Sequence, residues 1–324
     1  MAGVTEFGTT AGGQKVQRIT LEDGDLTVAV LTKGATLQSV RLRGVPHDLT
    51  LGSELLADYE GGMRHHGALV APVVNRFTGA RAPISGKTFQ FEANQSARHT
   101  LHFGALGTQH KIWKIAAVSD RSVTLTVDLP AGEGNMPGLR PVRVTFAVTK
   151  RGLQMAVTAS TDALTLFNAA NHSYWNLDGS DSWAGHSLQI AADSYLPVTP
   201  DFTPTGEIAA VDGTIFDLRR LRAITPGVDS YDHNFCLSDG QRPLRDVLWL
   251  TGASGLMMTL ATTEAGVQVY DGRNATQPGR GRYEGLAIEA QNWPDAPNHQ
   301  GFPSIELAPG ATYHQITEWR FAPA

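Results

Sequence analysis

Val123-Thr124-Leu125-Thr126-Val127-Asp128-Leu129 alternates apolar and polar side chains without a break. Successive side chains of an extended chain point to opposite sides, so this stretch carries one apolar face and one polar face, as a half-buried strand does. Residues 142–148 repeat the pattern, with Val142, Val144, Phe146 and Val148 set between Arg143, Thr145 and Ala147. After the turn signal Lys150-Arg151-Gly152 the alternation resumes at Leu153, Met155 and Val157, which predicts a hairpin. Further outward, short runs of the same kind occupy 26–32, 36–42, 164–170, 256–262 and 267–270, each bounded by Gly, Pro, Asn or Asp. Helical spacing is confined to a turn or two at 53–59, where Ser53 is placed to cap the start. A parallel sheet would need crossovers of about a dozen residues between strands, and no such helical stretches separate these runs. The fold read from the chain is therefore all-β, with antiparallel sheets packed as a large sandwich.

The 34 glycines and 17 prolines are scattered as turn punctuation rather than gathered into a linker, so residues 1–324 are expected to form a single domain. No repeat of fixed period points to a propeller or solenoid. Two long loops, 132–141 and 272–285, are candidates to frame a functional cleft. Hydrophobic residues make up 41% and charged residues 18%, and no apolar run is long enough for a membrane span. The net charge of −5 comes from intermixed acids and bases, without the Lys/Arg run that would neutralise phosphates. Nucleic acid and membrane are not expected partners, and a neutral small molecule is. Residues 1–6 lack the basic start and apolar stretch of a secretory signal, which makes the cytoplasm the expected location. Cys236 is the sole cysteine, so no internal disulfide and no cysteine-rich metal site can form.

Polar residues crowd four places that should otherwise be ordinary strand ends: Asn75-Arg76, 99–102, 171–176 and 288–293. They can be polar strand ends with aromatic packing, or they can be a sugar site. A sugar offers apolar C–H faces ringed by hydroxyls, so its site needs flat rings beside groups that both donate and accept. Trp175 and Trp293, with Asn171, His172, Asn176, Gln291 and Asn292, supply that mixture. Glu289 lies in an apolar run, 285–290, that reads as a buried strand. A carboxylate there must be paired, for instance with Arg76, or functional, because burying it unpaired is costly and raises its pKa toward the range of a general base. His65-His66 and the group His99, His102 and His110 suggest metal ligands, but their spacing fits no tight motif. Neither a dinucleotide fingerprint nor a phosphate-binding loop is present, so no cofactor is expected.

Taken together, Asn75-Arg76-Phe77, Thr100-Leu101-His102, the run 171–177, Tyr231-Asp232-His233-Asn234-Phe235, Gly266-Val267-Gln268-Val269-Tyr270 and the run 289–298 resemble the aldose 1-epimerase (galactose mutarotase) family, over nearly the whole chain. The resemblance implies a galactose-mutarotase-like β-supersandwich and a monosaccharide substrate whose α and β anomers are interconverted. It implies that Glu289 takes the proton of the C1 hydroxyl, that His172 protonates the ring oxygen, and that His102 helps hold or protonate that oxygen. Asn75, Arg76, Asp232 and Gln268 match residues that grip the sugar. No cofactor or metal is implied, and the assembly is expected to be a monomer or homodimer. Two departures from the family pattern bear on specificity: Ala71-Pro72 stands where Gly-Arg is frequent, and Phe103 follows His102 where glycine is frequent. Three other functions remain open at this point. They are a carbohydrate-binding protein without turnover, a glycoside hydrolase or lyase with Asp232 as second carboxylate, and an epimerase of a phosphorylated sugar.

Overall fold

The computed structural model describes residues 3–150 and 152–323. Met1, Ala2, Arg151 and Ala324 lie outside them, so the turn signal at 150–152 is described only at its two ends. The alternating stretch that opens the sequence argument is the strand Ser122–Leu129, and it sits in a nine-stranded antiparallel sheet. The hairpin is present: Arg140–Thr149 pairs with Gly152–Ala159, with Val144 opposite Val157 and Thr149 opposite Gly152. Tyr313–Pro323 then joins Gly152–Ala159 to Leu256–Thr262 and closes the middle of the sheet. A four-stranded antiparallel sheet from Gly3 to Leu42 and a six-stranded sheet complete the main framework. The six-stranded sheet runs Tyr174–Trp175, Leu286–Gln291, Gly266–Tyr270, Asp232–Cys236, Ser194–Tyr195 and Ala209–Ala210. Among the described residues every pairing of named strands is antiparallel; parallel contacts occur only as the isolated bridges Val73–Asn168 and Pro226–Asp229.

One cluster of buried side chains draws on all three sheets, for example Val28 and Leu37, Val144 and Phe146, and Val267 and Ile288. Trp175 is wholly buried there, against the rings of Trp319 and Phe321. A buried indole removes roughly 200 Å² from water, worth about 5 kcal/mol at about 25 cal/mol per Å², so this ring belongs to the framework.

Two local expectations change. The run 164–170 is not one strand: Thr165–Leu166 pairs with Glu306–Leu307, and Ala170–Asn171 pairs with Leu69–Val70. Asn168 breaks it, because its side-chain amide exchanges two hydrogen bonds with the backbone of Asn292 and so commits that point of the chain to a different neighbour. The helix is Leu56–Glu60, five residues long, and Ser53 does not cap it. The Ser53 hydroxyl instead accepts the Leu55 N–H at 3.0 Å and donates to the Asp58 carboxylate, a turn that precedes the helix. No helix among the described residues is long and apolar enough to cross a membrane.

Candidate active site

Strand register places the site. Tyr174 is opposite Ala287, Ala287 opposite Tyr270, and Tyr270 opposite Asp232, so these residues form a row across the six-stranded sheet. Two residues further along, Glu289 is opposite Gln268 and Gln268 opposite Asn234, which puts the second row on the same face. The alternate residues Trp175, Leu286, Ile288, Val267, Val269 and Phe235 turn to the other face and enter the core. The polar face opens onto a cleft of about 380 Å³, within the ~300–1,000 Å³ usual for small-molecule sites.

His172 reaches this cleft from the bend between Ala170–Asn171 and Tyr174–Trp175. Its backbone is pinned on both sides, the N–H to the Ala68 carbonyl at 2.9 Å and the carbonyl to the Gly67 N–H at 3.0 Å. Asn171 locks the same bend by donating to Gly67 O at 2.7 Å and accepting from the Ser173 N–H at 3.2 Å. Only glycine fits at 67, where φ is +70° and a Cβ would overlap the Leu37 carbonyl oxygen. The result is His172 Nε2 at 3.5 Å from Glu289 Oε1, both side chains being almost wholly buried.

Burial sets the electrostatics of the pair. Desolvation, reinforced by the negative charge of Asp232 and opposed by Arg76, lifts the Glu289 carboxyl to about 8. Desolvation also pushes the His172 imidazole down to about 4, with Asp232 pulling the other way. Between these limits the pair holds one proton in total, and it rests on Glu289. Glu289 Oε2 and His172 Nδ1 are buried and without a hydrogen-bond partner among the described residues. The alternative reading of Glu289 as a structural partner of Arg76 fails, since the Arg76 guanidinium pairs with Asp232 instead, Nη2 to Oδ2 at 3.2 Å.

His102 approaches from a strained stretch: His102, Phe103 and Gly104 all have positive φ, of 52°, 57° and 59°. Its backbone N–H bonds Asn75 O at 2.8 Å, and the Asn75 N–H bonds His102 Nδ1 at 3.2 Å. Because a backbone N–H can only donate, Nδ1 is the acceptor nitrogen and the proton of the neutral ring is on Nε2. Burial, with His65, His172 and Arg76 nearby, holds this imidazole well below its ordinary value, so His102 is a hydrogen-bond donor rather than an acid. Arg76 is fixed by Gln95 and Asn75 as well as by Asp232, and Asp232 accepts Gln268 Nε2 on its other oxygen at 2.8 Å.

Of the residues the resemblance singles out, Glu289, His172, His102, Arg76, Asn75 and Asp232 all line the cleft. Gln268 does not; it stands behind Asp232 and orients it. Trp175 and Trp293 are not a sugar platform. Trp175 is in the core, and Trp293 donates to Ala265 O and packs on Phe302. Asn171, Asn176, Gln291 and Asn292 spend their amides on backbone groups of the framework. The rings that do line the cleft are Tyr174, Tyr270, Phe202 and His65 with His66. Tyr174 and Tyr270 belong to the motifs that carry the resemblance, Phe202 carries no signal in the sequence, and His65-His66 stand out there only as an adjacent histidine pair without metal-ligand spacing. His99 is engaged elsewhere, by Gly79 and Asp201. Among the described residues no three His, Cys, Asp or Glu side chains are arranged to hold a metal ion. Loop 272–285 contributes Arg273, Asn274 and Ala275 to the rim, whereas no residue of 132–141 lines the cleft. Phe103 packs on Phe91, and buried Ala71 donates its N–H to the Thr108 hydroxyl; neither residue lines the cleft.

The sequence matches the aldose 1-epimerase family over residues 17–320. The chain belongs to that family. It is 34% identical to a galactose mutarotase of Rattus norvegicus, covering 99% of this chain and 98% of the relative. It is 30% identical to an aldose 1-epimerase of Escherichia coli, covering 95% and 96%. The fold superimposes on a galactose 1-epimerase from Lactobacillus acidophilus with a TM-score of 0.87 and 26% identity, over 100% of this chain and 99% of that one. A galactose-mutarotase-like architecture of antiparallel sheets follows for this aldose 1-epimerase family member, in agreement with the period-two pattern of its sequence.

Proposed function

We propose that the chain interconverts the α and β anomers of a free aldose by concerted acid–base opening and closure of the ring, with Glu289 and His172 as the exchanging pair. The observation that carries this is the 3.5 Å approach of His172 Nε2 to Glu289 Oε1 in a sugar-sized cleft, with one proton held by the pair, on Glu289, at neutral pH. Opening a hemiacetal needs one proton removed from the C1 hydroxyl while another reaches the ring oxygen, with no net uptake. Passage of that proton from Glu289 to His172 gives the reactive form, in which the carboxylate accepts the C1 hydroxyl proton and the imidazolium donates to the ring oxygen. The C1–ring oxygen bond breaks and an open-chain aldehyde forms. Rotation about C1–C2 presents the other carbonyl face. His172 then takes back the proton of the attacking hydroxyl as Glu289 returns its own, which restores the starting state. His102 Nε2–H donates to the ring oxygen and steadies it, and Arg76, Asn75 and Asp232, which line the same cleft, bind hydroxyls farther from the reacting bond.

Hydrolysis of a glycoside calls for a second carboxyl group as acid or nucleophile. Asp232, the other carboxylate lining the cleft among the described residues, is held by Arg76 and Gln268 and suits binding instead. The test is polarimetric. Freshly dissolved α-glucose and α-galactose, and a panel of other aldoses, should lose optical rotation faster with the protein than without it. If no aldose responds while calorimetry detects sugar binding, the protein is a binding module and the proposal is wrong.

A further inference from the structure

His65 lines the cleft but takes no part in the proton exchange. Its ring centroid lies 4.8 Å from that of His102 and 5.8 Å from that of His172, so it stands at the reacting end with the two imidazoles assigned to the ring oxygen. Its Nδ1 is sealed from solvent without a hydrogen-bond partner among the described residues, and none of them bonds its Nε2. Burial, followed by the nearby His172, Arg64, His110 and His66, keeps the ring well below its ordinary value and hence neutral. A neutral imidazole has one donor and one acceptor nitrogen, and its tautomer is set by whatever the nitrogens bond. No described residue sets it here. The accessible Nε2 can therefore serve a partner that both donates and accepts, which describes a hydroxyl.

We propose that His65 is a specificity-determining residue whose Nε2 hydrogen-bonds a sugar hydroxyl flanking the reacting C1–ring oxygen bond, carried on C2 or on C6. This rests on the anomerisation reading of the same cleft. The assignment follows by elimination of atoms: the C1 hydroxyl and the ring oxygen are occupied by Glu289, His172 and His102, which leaves the two neighbouring hydroxyls within reach of a ring in that place. Removing a hydroxyl that a site is built to bond leaves the site's polar group unpaired, so the loss of that hydroxyl and the loss of the imidazole should have the same effect and should not add.

The experiment measures binding by calorimetry and turnover by polarimetry for glucose, 2-deoxyglucose and 6-deoxyglucose, and for the corresponding galactose series. The proteins are wild type, His65→Phe and His65→Gln. In wild type one of the two deoxy sugars should bind about tenfold more weakly than its parent. In His65→Phe the parent should fall to that level while the deoxy sugar is unchanged, and KM should move more than kcat. His65→Gln, which returns an amide near the Nε2 position, should recover part of the discrimination. Which deoxy sugar loses its penalty identifies the hydroxyl. The proposal is overturned if both deoxy penalties persist in His65→Phe, or if that variant loses kcat with discrimination intact. A wild type that binds sugars with a His65-dependent penalty yet never speeds anomerisation would sink the catalytic reading and leave this one standing; a wild type that binds none of them sinks both.

Discussion

Replacing Glu289 with Gln should cut turnover by orders of magnitude and make the protein more stable. A carboxyl lifted from its ordinary 4.5 to about 8 contributes stability that is fully present below 4.5 and is lost as the pH rises through 8, because the unfolded chain gives up its proton first. Each pH unit in that window costs about 1.4 kcal/mol, so keeping Glu289 protonated while the unfolded chain ionises should weaken the fold by about 3 kcal/mol at pH 7 and by less than about 1 kcal/mol at pH 5. Glutamine is neutral throughout and of the same shape. With 324 residues and about 2.1 cal/mol/K of unfolding entropy per residue, the difference at pH 7 corresponds to roughly 5 °C in Tm. Scanning calorimetry of wild type and Glu289→Gln at both pH values gives the stability difference. Polarimetry on the same samples should show a fall in kcat of about 10²- to 10⁴-fold. Equal Tm values at pH 7, or a gain of the same size at both pH values, would refute the buried, proton-holding carboxyl. Near-normal turnover would remove Glu289 from the chemistry.

The pair as a whole should give a bell-shaped dependence of kcat/KM on pH. Activity falls below about 4, where both groups are protonated and no base remains, and above about 8, where both are deprotonated and no acid remains. Asp232→Asn should raise KM, since Arg76 loses its ionic partner, and should move both limbs of that bell to lower pH, because the Asp232 charge raises Glu289 and His172 alike. Limbs that stay in place, or move apart, would contradict this electrostatic coupling. Glu264 is a buried carboxyl outside the cleft, bonded by Gln241 at one oxygen and lifted by desolvation to about 7. Glu264→Gln should therefore raise Tm above pH 7, by about 3 kcal/mol in stability at most, and leave kcat and KM unchanged. A gain already complete at pH 5 would show that its burial is not the cause.

The strands of six to ten residues were legible because one face of each is buried and the other is not, so the side-chain pattern repeats often enough to be read; 122–129 and 142–157 are the clearest cases. Strands of two residues, such as Tyr174–Trp175 and Ala170–Asn171, have no period to detect, and these two flank His172 and carry Tyr174. The order of strands in the nine-stranded sheet was likewise hidden, because Tyr313–Pro323 inserts between strands far from it in the chain. Glu289 could be found from its own surroundings, as a carboxylate in an apolar strand. His172, His102 and Arg76 stood out only as members of separate polar clusters, and Asp232 and the roles of all four came from the family resemblance, since their convergence depends on sheet register that single segments do not encode. His65 was visible only as one of two adjacent histidines, and what separates a cleft-lining imidazole from a metal ligand is the geometry of its neighbours.

The misreading of Trp175 shows why parity outranks chemistry in a sheet. The expectation grouped residues 171–176 because sugars need flat rings beside amides, yet consecutive residues of a strand cannot share a face. Tyr174 and Glu289 share the polar face through the row and rung of the six-stranded sheet, and Tyr174 borders the cleft. Once Glu289 faces the cleft, Ile288 and Ala290 must face the core, and the residue paired with Leu286, which is Trp175, must follow them. A single carboxylate too costly to bury unpaired thus determines which aromatic of the Tyr-Trp pair faces the cleft and which one supports the sheet beneath it.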